Sequence, residues 1–319
     1  MLLQIEHDLR FHYDDWVRES FLELRMEPIT TPHQGVRSFH LAVGPPTGVE
    51  RYLDWNGNFV HHFGITDYHD RIEVRARALV ETRPPGARLE AATERPDRRA
   101  RLGPLLDFVT LGGPVQRSER LEALASELAV PPDAPLGEQV HSIGRLVRER
   151  LEYRPGVTHF ASTTDHVLEQ AAGVCQDFAH VALGLLRLRG IPSRYVSGYL
   201  HDEGRDAPSQ SHAWIQVCSQ ASDWLGFDPT HDREPDERYV EVATGRHYDD
   251  VPPNRGLYRG GARESLEAAV RSSRASHEDN AALQQRIPRI EVPVFREVPL
   301  GSGSAAPVTE EQAAAAGQQ

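Results

Sequence analysis

Gly173-Val174-Cys175-Gln176-Asp177-Phe178-Ala179-His180 opens the segment whose reading decides how the centre of the chain folds. Phe178, Val181, Ala182, Leu185 and Leu186 recur at three- and four-residue spacing, which predicts a helix with a wide apolar face. Gly190-Ile191-Pro192 ends it, glycine as the cap and proline as the block to continuation. Cys175 therefore stands at the helix start. There the positive end of the macrodipole and nearby backbone N–H groups favour the thiolate, and the same N–H groups can hold an oxyanion. Gly173 is expected to let the chain turn tightly before the cysteine. A small buried cysteine at a helix start would show the same pattern with no chemistry attached, so the thiol alone assigns nothing.

Downstream, Arg194–Leu200, Ser211–Cys218 and Trp224–Asp228 read as short strands, the last two joined by a hairpin loop. A turn centred near Gln220 places His212 directly opposite Asp228, on one face, with Cβ atoms about 5 Å apart. An aspartate there accepts the imidazole N–H, fixes its tautomer and stabilises the imidazolium. A one-residue slip would turn the two side chains to opposite faces. A histidine facing an aspartate is commonly a structural pair. A cysteine on a helix start, a histidine on a later strand and an acid on the next strand are together the parts of an activated thiol nucleophile.

The same residues carry a family resemblance. The segment Gly173 to His180, with Gly190-Ile191-Pro192-Ser193-Arg194-Tyr195-Val196-Ser197-Gly198-Tyr199, resembles the core of the bacterial transglutaminase-like superfamily. Ser211-His212-Ala213-Trp214 and Gly226-Phe227-Asp228-Pro229-Thr230 resemble its histidine and aspartate motifs. Tyr153, Pro155, Gly156 and Thr158 resemble the segment preceding its cysteine motif, and the β-rich start, including Ile5-Glu6-His7, resembles the N-terminal domain of one bacterial subgroup. The resemblance extends to about Gly260. It implies Cys175 as nucleophile, His212 as base and Asp228 as orienting acid, in a reaction at amide or peptide carbonyls. The expected activity is a cysteine-dependent amide or peptide hydrolase working through an acyl-enzyme on a peptide or protein substrate. A protein-glutamine acyltransferase and a non-catalytic binding protein on the same fold are the alternatives.

The expected fold class is α+β: an N-terminal antiparallel β-sandwich followed by a papain/transglutaminase-like core, a cysteine-bearing helix packed on an antiparallel sheet. From Leu3 to Tyr13 the odd positions are mostly apolar and the even ones polar, a half-buried strand. The alternation returns at Leu22–Met26, Phe39–Val43 and Ile72–Val80, and Asn56-Gly57 marks a hairpin. Arg83-Pro84-Pro85-Gly86 breaks the series. The divisions expected are 1–100 for the β-domain, 101–260 for the core, 261–300 for a C-terminal extension and 301–319 for a disordered tail. Ser118 is read as a helix cap, and Val140, Ile143, Val147 and Leu151 as one face of a longer helix.

Other polar residues carry weaker signals. Gln170 is read as a helix-end residue, with an oxyanion-holding amide as the alternative, Asp177 and His180 as buttresses of the cysteine helix, and Cys218 as a plain thiol. His61-His62 lies on a strand, where neighbours point to opposite faces, so it is a poor metal site. HExxH, GxSxG, P-loop and Rossmann patterns are absent, and neither metal nor cofactor is expected.

The composition of the 319 residues, 39% hydrophobic and 26% charged, suits a globular protein. A net charge of -12, with arginines interspersed among acids, argues against nucleic-acid and anionic-membrane partners. No apolar run reaches membrane-spanning length and Met1–Arg10 lacks the form of a secretory signal, so a cytoplasmic protein with two reduced cysteines is expected.

Overall fold

The computed structural model describes residues 1–95, 103–202, 211–220, 223–276, 287–298 and 310–311. They form two compact units: Met1–Thr82, Leu200–Ser211 and the chain from Pro252 in the first, Arg83–Tyr199 and His212–Val251 in the second. The class is α+β, with antiparallel pairing dominating the strands.

The first unit begins with β1 (Leu2–Leu24), β2 (Gln34–Gly44), β3 (Val49–Leu53), β4 (Phe59–Ile65) and β5 (His69–Thr82). Odd residues from Leu3 to Tyr13 are buried, and the even ones are half-buried or exposed, as the pleat requires. His7 keeps this phase, and burial lowers its imidazole to about 4. β1 is a single long strand: its residues to His12 pair with β5, and Ser20–Leu24 pair with β4. The change falls at an irregularity between Arg18 and Phe21, where Glu19 has φ 50°. A bulge of this kind bends a strand, so β1 pairs with different strands along its two halves. The Asn56-Gly57 hairpin forms with Gly57 at φ 82°, and the Asp54 carboxylate accepts the N–H groups of Asn56 and Asn58.

Two strands from late in the chain complete this unit. Asn254–Arg259 and Glu264–Arg274 pair antiparallel with the two halves of β1, and Tyr258 and Leu266 join Leu9, Phe11 and Ile72 in one core. The boundaries read from sequence are corrected accordingly: residues 1–100 are not the whole β-domain, the core ends at Val251, and 261–300 is not merely an extension. Leu266 and Val270 are buried between exposed Glu267 and Arg271, but alanines and serines around them dilute the period, and a strand pattern does not name its partner. The expected disordered tail 301–319 lies outside the described residues, apart from Glu310–Glu311, which pair with Tyr258 and Arg259.

The second unit contains α1 (Leu106–Val109), α2 (Glu119–Ser126), α3 (Leu136–Arg150), β6 (Glu152–Tyr153), α4 (Thr164–Gln170), β7 (Ala172–Gly173), α5 (Cys175–Leu188), β8 (Ser193–Leu200), β9 (His212–Ser219), β10 (Asp223–Phe227) and β11 (Tyr239–Gly245). Ser118 caps α2 by accepting the Leu121 N–H, and Val140, Ile143 and Val147 bury one side of α3. The sheet order is β10-β9-β8-β11. α5 packs on β9 and is surrounded by α2, α3 and α4. Every residue from Cys175 to Arg187 is buried, so α5 is a central helix rather than the amphipathic one its spacing suggests. Arg187 survives there because its guanidinium donates to the carbonyls of Thr110, Ser193 and Arg246. Among the described residues no helix is long and apolar enough to cross a membrane.

Candidate active site

The turn into α5 is held by a carboxylate. Asp177 Oδ2 accepts the Val174 N–H at 2.8 Å and the Thr158 hydroxyl at 2.6 Å, satisfying a helix-start donor that α5 leaves without an intrahelical partner. Burial pushes the Asp177 carboxyl up, opposed by the bonds from Thr158 and Val174. A Cβ on Gly173 would lie 2.4 Å from Asp177 Oδ2. Gly173 is not in the left-handed region; it is glycine because the carboxylate passes so close. β6 and β7 pair in parallel, Tyr153 beside Gly173, which ties the Tyr153–Thr158 segment to the same turn. Asp177 is thus the buttress expected of it. Cys175 follows as the first residue of α5, only 6% exposed, and lies close enough to the His212 ring to help raise its pKa.

His212 begins β9, opposite Gly198 of β8. A side chain at Gly198 would meet the Val240 carbonyl at 2.1 Å and the Trp214 ring at 2.5 Å, so the strand bearing the histidine packs close only because glycine stands there. Across the hairpin, Phe227 pairs with Ile215 and Trp224 with Cys218. Continued by one residue, this register sets Asp228 against Trp214. The direct opposition of His212 and Asp228 read from sequence is therefore corrected: the register differs by two residues, which preserves the face. The two side chains meet diagonally, with His212 Nε2 donating to Asp228 Oδ2 at 2.8 Å. With Nε2 so engaged, Nδ1 is the ring nitrogen left for the thiol.

Asp228 has no measurable exposure and is paired on both oxygens. Oδ1 accepts the backbone N–H groups of Thr230 at 2.9 Å and His231 at 3.2 Å. Oδ2 accepts His212 Nε2, His231 Nδ1 at 2.8 Å and the Tyr239 hydroxyl at 2.7 Å. Burial alone would raise this carboxyl, but the bonds and charges of His212 and His231 hold it far below the usual carboxylate range. Burial likewise opposes charge on His212, and it is outweighed by the bonds to Asp228 and Cys175 and by their charges, which raise the imidazole to about 10. Such a site holds an imidazolium with a buried carboxylate as its counter-charge.

Sequence reasoning missed His231, Arg233 and Tyr239. The first was within reach, because Asp-Pro-Thr-His is an aspartate-led turn whose side chain caps the following N–H groups. Tyr239 lies on β11 and gave no local signal. Of the weaker candidates, Gln170 is an exposed end of α4, and His180 is buried in α5 with Nε2 accepting the Tyr248 N–H. Cys218 is half-buried opposite Trp224. His61 is buried beside Glu27 while His62 is half-buried. The ligand-type atoms of His212, Asp228 and His231 all lie within 4.8 Å of one another. Both imidazoles, however, sit at 2.8 Å from a single oxygen, shorter than the ~3.3 Å between neighbouring ligands of a tetrahedral ion. The cluster reads as a hydrogen-bonded one.

Comparison with known proteins bears on the family. The transglutaminase-like superfamily core matches residues 122–229, and the bacterial transglutaminase-like N-terminal region matches residues 3–81. An uncharacterised protein of Mycobacterium leprae (strain TN) is 33% identical over 280 residues, covering 85% of this chain and 98% of the relative. A protein-glutamine gamma-glutamyltransferase of Pseudomonas aeruginosa is 27% identical over 177 residues, 51% of this chain but only 26% of that enzyme. A solved structure from Cytophaga hutchinsonii, described as a candidate cysteine protease, shares the fold with a TM-score of 0.71 at 20% identity, over 86% of this chain and 92% of that one. With both family regions in order and a relative matched over nearly its whole length, the chain belongs to the transglutaminase-like superfamily.

Proposed function

We propose that the protein is a thiol-dependent amide or peptide hydrolase in which Cys175 is the nucleophile, His212 the acid–base and Asp228 the orienting acid. One observation carries the reading: His212 is bonded through Nε2 to the buried Asp228 carboxylate at 2.8 Å, and Cys175, at the first position of α5, acts on the same imidazole. The Cys175 thiolate attacks the carbonyl carbon, forming a C–S bond, and the oxyanion is met by donors that a helix N-terminus supplies. Collapse breaks the C–N bond as His212 passes its proton to the amine. Water then attacks the thioester, giving its proton to His212, and the acid leaves with Cys175 restored.

Acyl transfer to an amine is the second reading, supported by the Pseudomonas aeruginosa relative. All 35 basic residues other than histidine are arginine, so the chain presents no ε-amino group to its own acyl-enzyme. Incubation with glutamine-containing peptides and a labelled primary amine separates the cases. Hydrolysis releases ammonia or cleaves the peptide and leaves the label free. Label incorporation supports transfer, and neither product, with wild type equal to Cys175→Ala, supports a non-catalytic fold.

A further inference from the structure

The two oxygens of Asp228 are used differently. Oδ1 is held by two backbone N–H groups, those of Thr230 and His231, and the ends of this short loop are closed by reciprocal backbone bonds between Asp228 and Arg233. The orientation of the carboxylate is therefore set by main chain. Oδ2 faces His212 and receives two further donors. One is Tyr239, buried on β11, whose hydroxyl in turn accepts Arg233 Nε at 2.8 Å. The guanidinium also lies 5.4 Å from the centre of the Tyr239 ring. A hydroxyl that accepts from a cation is a stronger donor than one left alone, and each donor on a carboxylate withdraws charge from its other partners.

We propose that Tyr239, primed by Arg233, is a positioning residue that tempers the negative charge Asp228 presents to His212, so that the imidazolium can give up its proton to the leaving amine. This rests on the proposed triad for its catalytic meaning but not for its electrostatics. The groups facing the pair are Cys175 from α5, His231 from the loop, and Tyr239 with Arg233 behind it. A fixed carboxylate that loses one of three donors binds the remaining ones harder. Removal of the tyrosine hydroxyl therefore strengthens the hold on His212, whereas removal of the carboxylate charge weakens it. A tyrosine that merely supported the loop would, when cut back, loosen the pair and move His212 in the same direction as loss of the carboxylate.

The test is a pH titration of the His212 ring in the full chain by 15N–1H correlation, its resonances assigned by their loss in His212→Gln. Tyr239→Phe is expected to raise the midpoint by about half a unit or more, and Asp228→Asn to lower it. Arg233→Gln, which keeps the hydroxyl, is expected to raise it by less and serves where Tyr239→Phe does not fold. Turnover in Tyr239→Phe should fall several-fold with KM little changed. An unchanged or lowered midpoint in both Tyr239→Phe and Arg233→Gln overturns the proposal. An upward shift in a protein that turns over no substrate leaves the tempering role standing and removes the proposed function instead.

Discussion

His212 and Asp228 meet on a diagonal of the β9–β10 hairpin rather than face to face, Nε2 to Oδ2 at 2.8 Å, the carboxylate standing one residue beyond the Phe227–Ile215 pair. Because the strand has a period of two, a two-residue displacement keeps both side chains on one face and changes only the slant between them. The pair is buried, and Asp228 serves three further residues besides His212: Thr230, His231 and Tyr239.

Asp228→Ala should consequently cost more than a surface pair. It strands the donors of His212, His231 and Tyr239 around an apolar gap, and breaking a buried pair from one side typically costs about 3–5 kcal/mol. Urea denaturation of wild type and variant gives the difference. A midpoint that does not move would mean that the carboxylate is solvated and the network absent.

The raised imidazole makes a prediction about pH. A histidine lifted from its ordinary 6.5 to about 10 contributes stability in full below 6.5 and loses it as pH climbs through the folded value. The urea midpoint of the wild type should therefore decline from pH 6.5 towards 10, and His212→Gln should decline less over that interval. The chain has no lysine, so no ε-amino group titrates there to obscure the slope. Equal slopes in the two proteins would contradict the assigned shift.

Much of this was legible in the sequence. The β1 alternation reads plainly because one face of the sheet is buried and the other is not, and the cysteine helix was bounded by its own glycine and proline. The hairpin register was not legible: Gln220-Ala221-Ser222 lacks the Asn-Gly type of turn that fixes loop geometry. Its face survived the error because the slip was even. Tyr239 and Arg233 reach Asp228 through tertiary packing of β11 and a bridged loop, which no local spacing encodes. The strand Glu264–Arg274 was missed because two apolar residues among alanines and serines make a weak period.

Asp177 yields a prediction about the turn before the nucleophile. Asp177→Ala removes the acceptor of both Val174 N–H and Thr158 hydroxyl, a loss of about 1–2 kcal/mol by analogy with helix caps. Thr158→Val should cost less, since the Val174 bond remains. Thermal melts of the three proteins test the order, and a Thr158→Val variant less stable than Asp177→Ala would contradict it.

The central claim, that Cys175 is a nucleophile activated by His212, is tested most directly by trapping with a peptide aldehyde and locating the adduct by mass spectrometry. The account predicts a one-to-one thiohemiacetal on Cys175, visible in the native intact mass under excess aldehyde, retained in Cys218→Ser, absent in Cys175→Ala and formed much more slowly in His212→Ala. An adduct on Cys218, or one that forms on Cys175 at the same rate with and without His212, would contradict it.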